Sequence, residues 1–194
     1  MLASASPQRL EILGAAGVDF EVAPTGVEEL AEGDPATVAL ENARRKAAAA
    51  RRHHPAHDTV VLAADTVVAL DGEILDKPED EELARRSISR LAGRTHEVHG
   101  AIVLCGPGEE WREASSVSRV SFRPLTGAEV DSYVATGEWE GRAGGYAIQL
   151  SGESLVERLE GDHENVVGLS TAALGRLVQG LVPPGGAGAD RYNP

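Results

Sequence analysis

The stretch Thr59–Arg94, "TVVLAADTVVALDGEILDKPEDEELARRSISRLAGR", decides the fold. Its first half is a nearly continuous apolar run, the pattern of a strand buried on both faces. Asp71-Gly72 then supplies hairpin-turn chemistry, and "EIL" reads as a short returning strand. The acidic start of "EDEELARRSISRLAG" predicts a helix that ends before Gly93.

Downstream, "THEVHGAIVLC" and "EWREASSVSRVSFRPL" read as two longer strands joined by the turn "GPGEE", and "TGAEVDSYVATG" as a helix capped at both ends. The last third holds a glycine-rich loop, "GEWEGRAGGYAIQ", two short strands around "YAIQ" and "SLVERLEG", and a final helix near Ser170–Gln179. Upstream, Met1–Ser4 reads as a short strand, Ser6 as an N-cap and Pro7 as the first residue of a helix stopped by Gly17. A short strand around "FEVAPTG", an acidic turn and an alanine-rich helix from Pro35 to Arg52 follow. Strands and helices thus alternate with antiparallel insertions. The expected organisation is one domain over residues 1–180, with 181–194, rich in glycine and proline, as a disordered tail.

Lys and Arg total 18 against 31 Asp and Glu, a net charge of −13, and no basic stripe offsets it. Duplex nucleic acid and anionic membranes are therefore poor partners. No apolar stretch reaches the length of a membrane helix and the start lacks a signal-peptide pattern, so the expected compartment is the cytoplasm. Cys105, the sole cysteine, sits in "AIVLC" as a small buried hydrophobe. His53, His54 and His57 in "RRHHPAHD" lack ligand spacing and read as a solvated loop.

Asp65 is the anomaly, a carboxylate inside an apolar strand, where an unpaired charge costs several kcal/mol. It is either turned to solvent at a bulge or a cleft carboxylate that binds metal or acts as a base. At the N-terminus, a strand-to-helix turn aims free backbone N–H groups outward while Ser4, Ser6 and Arg9 add side-chain donors, which makes a phosphate cradle. The same residues also suffice as an ordinary helix start. Lys77 precedes Pro78 at the mouth of a helix, where a lysine meets a phosphate or simply faces solvent. Glu28, Glu29 and Lys46, taken singly, read as surface charges.

Together, "LASASPQR", "AADTVVALDGEILDKP", "AGRTHEVH" and "GRAGGYAIQ…LVERLEGDHENVVGLS" resemble the Maf family of nucleoside triphosphate pyrophosphatases, in order from about Leu2 to Leu177. The resemblance implies an α/β fold with an elongated mixed β-sheet flanked by helices, Maf/ITPase-like and usually dimeric. It also implies a house-cleaning hydrolase that cuts a nucleoside triphosphate between its α and β phosphates with a divalent metal, Mg²⁺ or Mn²⁺.

Carried over by position, Asp65 matches the family's catalytic carboxylate, Ser4, Ser6 and Arg9 its phosphate loop, and Glu29, Lys46 and Lys77 its other charged cleft residues. Asp65 and Glu29 are the metal candidates. Thr66 and Gln149 resemble the branch acting on dTTP and UTP. Two departures stand out: Gln8 replaces the first arginine of a frequent Ser-Pro-Arg-Arg loop, and Arg142 stands where lysine is common. Alternatives are the same reaction on modified purine triphosphates, a non-catalytic nucleotide-binding regulator of cell division, or a plain structural domain. Convergence of Asp65, Arg9 and Lys77 on one cleft separates the last of these from the rest.

Overall fold

The computed structural model describes residues 1–54, 59–106 and 110–179. Its centre is β1 (Val61–Leu70), buried almost throughout as its apolar run predicts. The turn that follows holds Asp71 at φ 54° and Gly72 at φ 81°, the two positive φ values of a tight hairpin, and leads into β2 (Glu73–Leu75). α3 (Glu81–Leu91) starts on Asp80, whose carboxylate accepts from Leu83 N. β3 (Thr95–Cys105) pairs with β1 and with β4 (Trp111–Phe122), and β5 (Val156–Glu160) completes a sheet of order β2-β1-β3-β4-β5.

All four strand pairs are antiparallel. The parallel element is Leu2, which bridges to both Leu62 and Val22. Met1–Ser4 and "FEVAPTG" therefore contribute bridges at single residues and not the short strands their sequences suggest.

Side-chain alternation along β1 assigns its two faces. Ala63 and Val67 pack with Ala39, Ala43 and Ala47 of α2 (Pro35–His53). Leu62 and Ala64 pack with Leu13 of α1 (Pro7–Ala15) and with Leu169 and Ala173, at the start of α6 (Thr171–Val178). The alanine stripe matters because small side chains let α2 approach the sheet closely. Beyond β1, Val68 and Leu70 join a third cluster with Ile88 and Leu91 of α3, Phe122 of β4 and Val130, Tyr133 and Val134 of α4 (Gly127–Val134).

Two local readings are corrected, and one short helix is added. Ser6 occupies the cap position of α1 and Pro7 its first turn, but Ser6 makes no side-chain cap; its hydroxyl donates to Gln8 Oε1 at 2.8 Å. "YAIQ" is not a strand: it follows a 3₁₀ turn at Ala143–Gly145 and precedes another at Ser151–Leu155. "DHENVV" forms the short helix α5 (His163–Val167), capped by Asp162. The turn residues 107–109, His57 and the segment 180–194 lie outside the described residues.

Candidate active site

Asp65 lies between Ala63 and Val67 on the face of β1 that meets α2, 5% exposed. It is neither at a bulge nor in open solvent, since its pairing with Ala101 continues the β1–β3 ladder without interruption. Lys46 Nζ donates to Asp65 Oδ1 at 2.6 Å, and Asn42 Nδ2 donates to Oδ2 at 3.2 Å. Both donors stand on α2, one turn apart, and so lie one above the other on the same helix face.

Lys46 Nζ also lies 2.5 Å from Glu29 Oε1, and Lys77 Nζ lies 3.3 Å from Glu29 Oε2. Lys46 therefore bridges two carboxylates instead of facing the cleft as a free cation. Desolvation pushes the Glu29 pKa up, but the ammonium groups of Lys46 and Lys77 outweigh it and hold the carboxyl below its ordinary range.

Opposite this ion network, the guanidinium of Arg9 is fixed on three sides. Its Nε donates to Gly168 O at 3.0 Å, Nη1 to Ser4 Oγ at 3.1 Å and Nη2 to Thr66 Oγ1 at 3.2 Å. Thr66 Oγ1 in turn donates to Gly168 O at 3.3 Å. Burial lowers the Arg9 pKa, opposed by the charges of Asp65 and Glu29. Three of the five guanidinium N–H groups thus have partners among the described residues, and the others are available to a ligand. The first N–H groups of α1, at Gln8 and Arg9, have no helical carbonyl behind them.

Apart from Asn42, which lies buried behind Asp65, the polar residues of this network border one cleft of about 640 Å³. Ser4, Ser6, Gln8, Arg9, Glu29, Lys46, Asp65, Thr66 and Lys77 line it, together with Arg142, Tyr146 and Gln149. The structure therefore brings together every site residue singled out in the sequence. The far wall is held by the Ala143–Gly145 turn: Gly144, at φ 68°, lies so close to β1 that a Cβ there would come within 2.8 Å of Val68 Cγ1. Tyr146 is fixed from behind by His96, whose Nε2 lies 2.8 Å from the phenol oxygen, and by edge-on contact with Phe122. Burial lowers the His96 pKa to about 4, so this ring is neutral at pH 7. Arg142 spends its Nε on Glu138 O at 2.6 Å.

Asp65 and Glu29 offer oxygens to a single point, now spanned by one ammonium. Two carboxylates completed by phosphate oxygens form a donor set that suits a hard divalent cation. Among the described residues no group of three or more His, Cys, Asp and Glu side chains could form an all-protein cage. A divalent cation on these two carboxylates would have to displace the Lys46 ammonium and complete its shell with oxygens from a ligand.

Sequence reasoning missed Asn42, Tyr146 and the Gly168 carbonyl. Asn42 did leave a signal, because it stands one turn before Lys46 as a polar residue within an alanine-rich face. Gly168 left none, since a carbonyl has no side-chain identity.

An antiparallel sheet with helices on both faces, and a cleft at the start of α1 that offers N–H donors, cations and carboxylates to a ligand, describe an α/β protein with a charged binding cleft. Residues 1–181 match the sequence model of the Maf-like protein family, and the chain belongs to that family. It is 46% identical over 183 residues to a dTTP/UTP pyrophosphatase of Deinococcus radiodurans, covering 93% of this chain and 91% of that one. Proteins of the same name from Methylococcus capsulatus (43%, 93% and 90% covered) and Pyrococcus furiosus (41%, 92% and 93% covered) are similar over comparable spans. No helix of the described residues is long and apolar enough to cross a membrane.

Proposed function

We propose that the protein hydrolyses nucleoside triphosphates to nucleoside monophosphate and pyrophosphate, with dTTP, UTP or modified pyrimidine nucleotides as preferred substrates. The observation that carries this reading is the convergence of Asp65, Glu29, Lys46, Lys77, Arg9 and Ser4 on one cleft. A triphosphate carries about four negative charges, and a chain of net charge −13 holds it only where cations are concentrated locally.

In this reading Arg9, Ser4, Ser6 and the first N–H groups of α1 bind the phosphate chain, with Lys77 at its other flank. Asp65 acts on the attacking water, accepting its proton, and Lys46 keeps the Asp65 carboxylate oriented. Asp65 and Glu29 would hold the divalent cation, which neutralises developing phosphate charge when bound. The same reading takes Mg²⁺ or Mn²⁺ as the cation and a cytoplasmic homodimer as the working form.

Arg9→Ala is expected to weaken binding of any triphosphate by about 1.5–3 kcal/mol, the worth of charge-assisted hydrogen bonds, irrespective of the base. Equilibrium binding of UTP and GTP analogues checks it; a loss confined to one base would move Arg9 from phosphate to base recognition.

Gln149, in the lining of the same cleft, offers an amide donor and an acceptor, which match O4 and N3–H of uracil or thymine together. Cytosine presents a donor at position 4 and lacks the N3–H, a mismatch costing about 1–3 kcal/mol in a desolvated site. A nucleotide panel with pyrophosphate detection should show UTP and dTTP ahead of CTP, with the UTP-to-CTP ratio reduced in Gln149→Glu. An unchanged ratio, or a wild-type preference for GTP or ITP, would contradict this assignment and turn attention to Gln8 in the phosphate loop.

A further inference from the structure

Asn42 is 2% exposed, and its side-chain amide spends itself on two parts of the site at once. Its Oδ1 accepts from Leu30 N at 2.7 Å, while Nδ2 donates to Leu30 O at 3.0 Å and to Asp65 Oδ2 at 3.2 Å. The orientation of the amide follows from these partners, because a backbone N–H only donates and a backbone carbonyl only accepts.

Leu30 adjoins Glu29 in the chain and belongs to no helix or strand. Its two backbone hydrogen bonds to Asn42 replace those that secondary structure would provide, and they fix the peptide that carries the Glu29 side chain. The third bond fixes the Asp65 oxygen that Lys46 does not touch. We propose that Asn42 is the positioning residue of this site: one amide on rigid α2 sets the Glu29 loop and the Asp65 carboxylate relative to each other. Lys46, four residues on, then closes the arrangement by bridging the two charges.

No other polar residue type of this size serves as well. Aspartate lacks both donors and would place a second carboxylate against Asp65; leucine fills the space but leaves Leu30 N, Leu30 O and one lone pair of Asp65 without these partners. Groups that orient catalytic or metal-binding side chains without touching substrate are typically worth 10–100-fold in activity when removed.

This inference rests on the hydrolase reading for its kinetic half only, and the test separates the two. The full-length chain is compared with Asn42→Ala and Asn42→Asp by amide hydrogen exchange at Leu30, by thermal unfolding, and by steady-state pyrophosphate release from UTP. Asn42→Ala should accelerate Leu30 exchange about tenfold or more and lower kcat about 10–100-fold, by a larger factor than it raises KM, because Arg9, Ser4 and Ser6 take no hydrogen bond from Asn42. Asn42→Asp should keep Leu30 protected through its remaining acceptor yet lose as much kcat as the alanine variant. Unchanged Leu30 exchange in Asn42→Ala overturns the clamp whatever the enzyme does. Loss of protection with wild-type kcat, or wild-type kcat in Asn42→Asp, overturns the positioning role. Absence of pyrophosphate release by the wild type would sink the hydrolase reading, while Leu30 exchange would still decide whether Asn42 holds the loop.

Discussion

Asp65→Asn should lower turnover by about 10²-fold or more while leaving the protein folded. The fold survives because Asp65 sits mid-strand in β1, paired with Ala101 through backbone bonds that an isosteric side chain does not disturb. Chemistry does not survive, because an amide neither accepts a proton from water nor ligates a divalent cation as a carboxylate does. Its single carbonyl oxygen can satisfy Lys46 or Asn42 but presents an NH₂ group to the other. Lys46 retains Glu29 as a counter-charge, so the buried ammonium is not left alone. Steady-state kinetics beside circular dichroism and thermal unfolding make the measurement. Near-normal turnover in a folded variant would return Asp65 to a purely structural role.

Lys46→Met should cost stability as well as activity, in the region of 3 kcal/mol. The methionine fills the space of the lysine stem beside the alanines of α2, so the loss reflects charge and not a cavity. Without the ammonium, Asp65 stays buried with a single neutral donor and faces Glu29 as a like charge. Most of the cost falls on Asp65, since Glu29 is 38% exposed at its side chain and partly screened by water.

The effect has a direction in pH. In the wild type the Glu29 carboxyl is held below its ordinary range, its desolvation outweighed by Lys46 and Lys77. A group whose folded pKa is depressed contributes stability above its unfolded pKa and loses it as pH falls through the folded one. Losing Lys46 removes that contribution, so the gap between wild type and variant should narrow from pH 7 to below the carboxylate range. Urea denaturation at both ends of that window checks it, and a gap that widens in acid would contradict the ion-network account.

The fold was most legible where neighbours in sequence determine structure. The β1 run, the Asp71-Gly72 turn and the acidic start of α3 each depend on residues within a few positions. It was least legible where distant partners decide. "YAIQ" has strand-like residues, but Tyr146 is drawn to His96 and the adjoining glycine turn packs onto Val68, so no ladder forms. Ser6 has the right identity for a cap, yet Gln8 captures its hydroxyl.

The same division holds in the site. Asp65 announced itself as a charge in an apolar strand, and Arg9 as a cation at a helix start. The partners that orient Arg9 did not, because Gly168 is 159 residues away and acts through its backbone. Lys46 was visible as a cation, but its bridging of Asp65 and Glu29 needed the close approach of α2 that its buried alanines permit.

In the proposed reaction this cleft directs water to the link between the α and β phosphates. The decisive measurement follows UTP with the protein and Mg²⁺ by ³¹P NMR. UMP and pyrophosphate are expected as the first products, in equal amounts, with neither formed by Asp65→Asn at a comparable rate. UDP and orthophosphate as the first products would overturn the proposed hydrolysis.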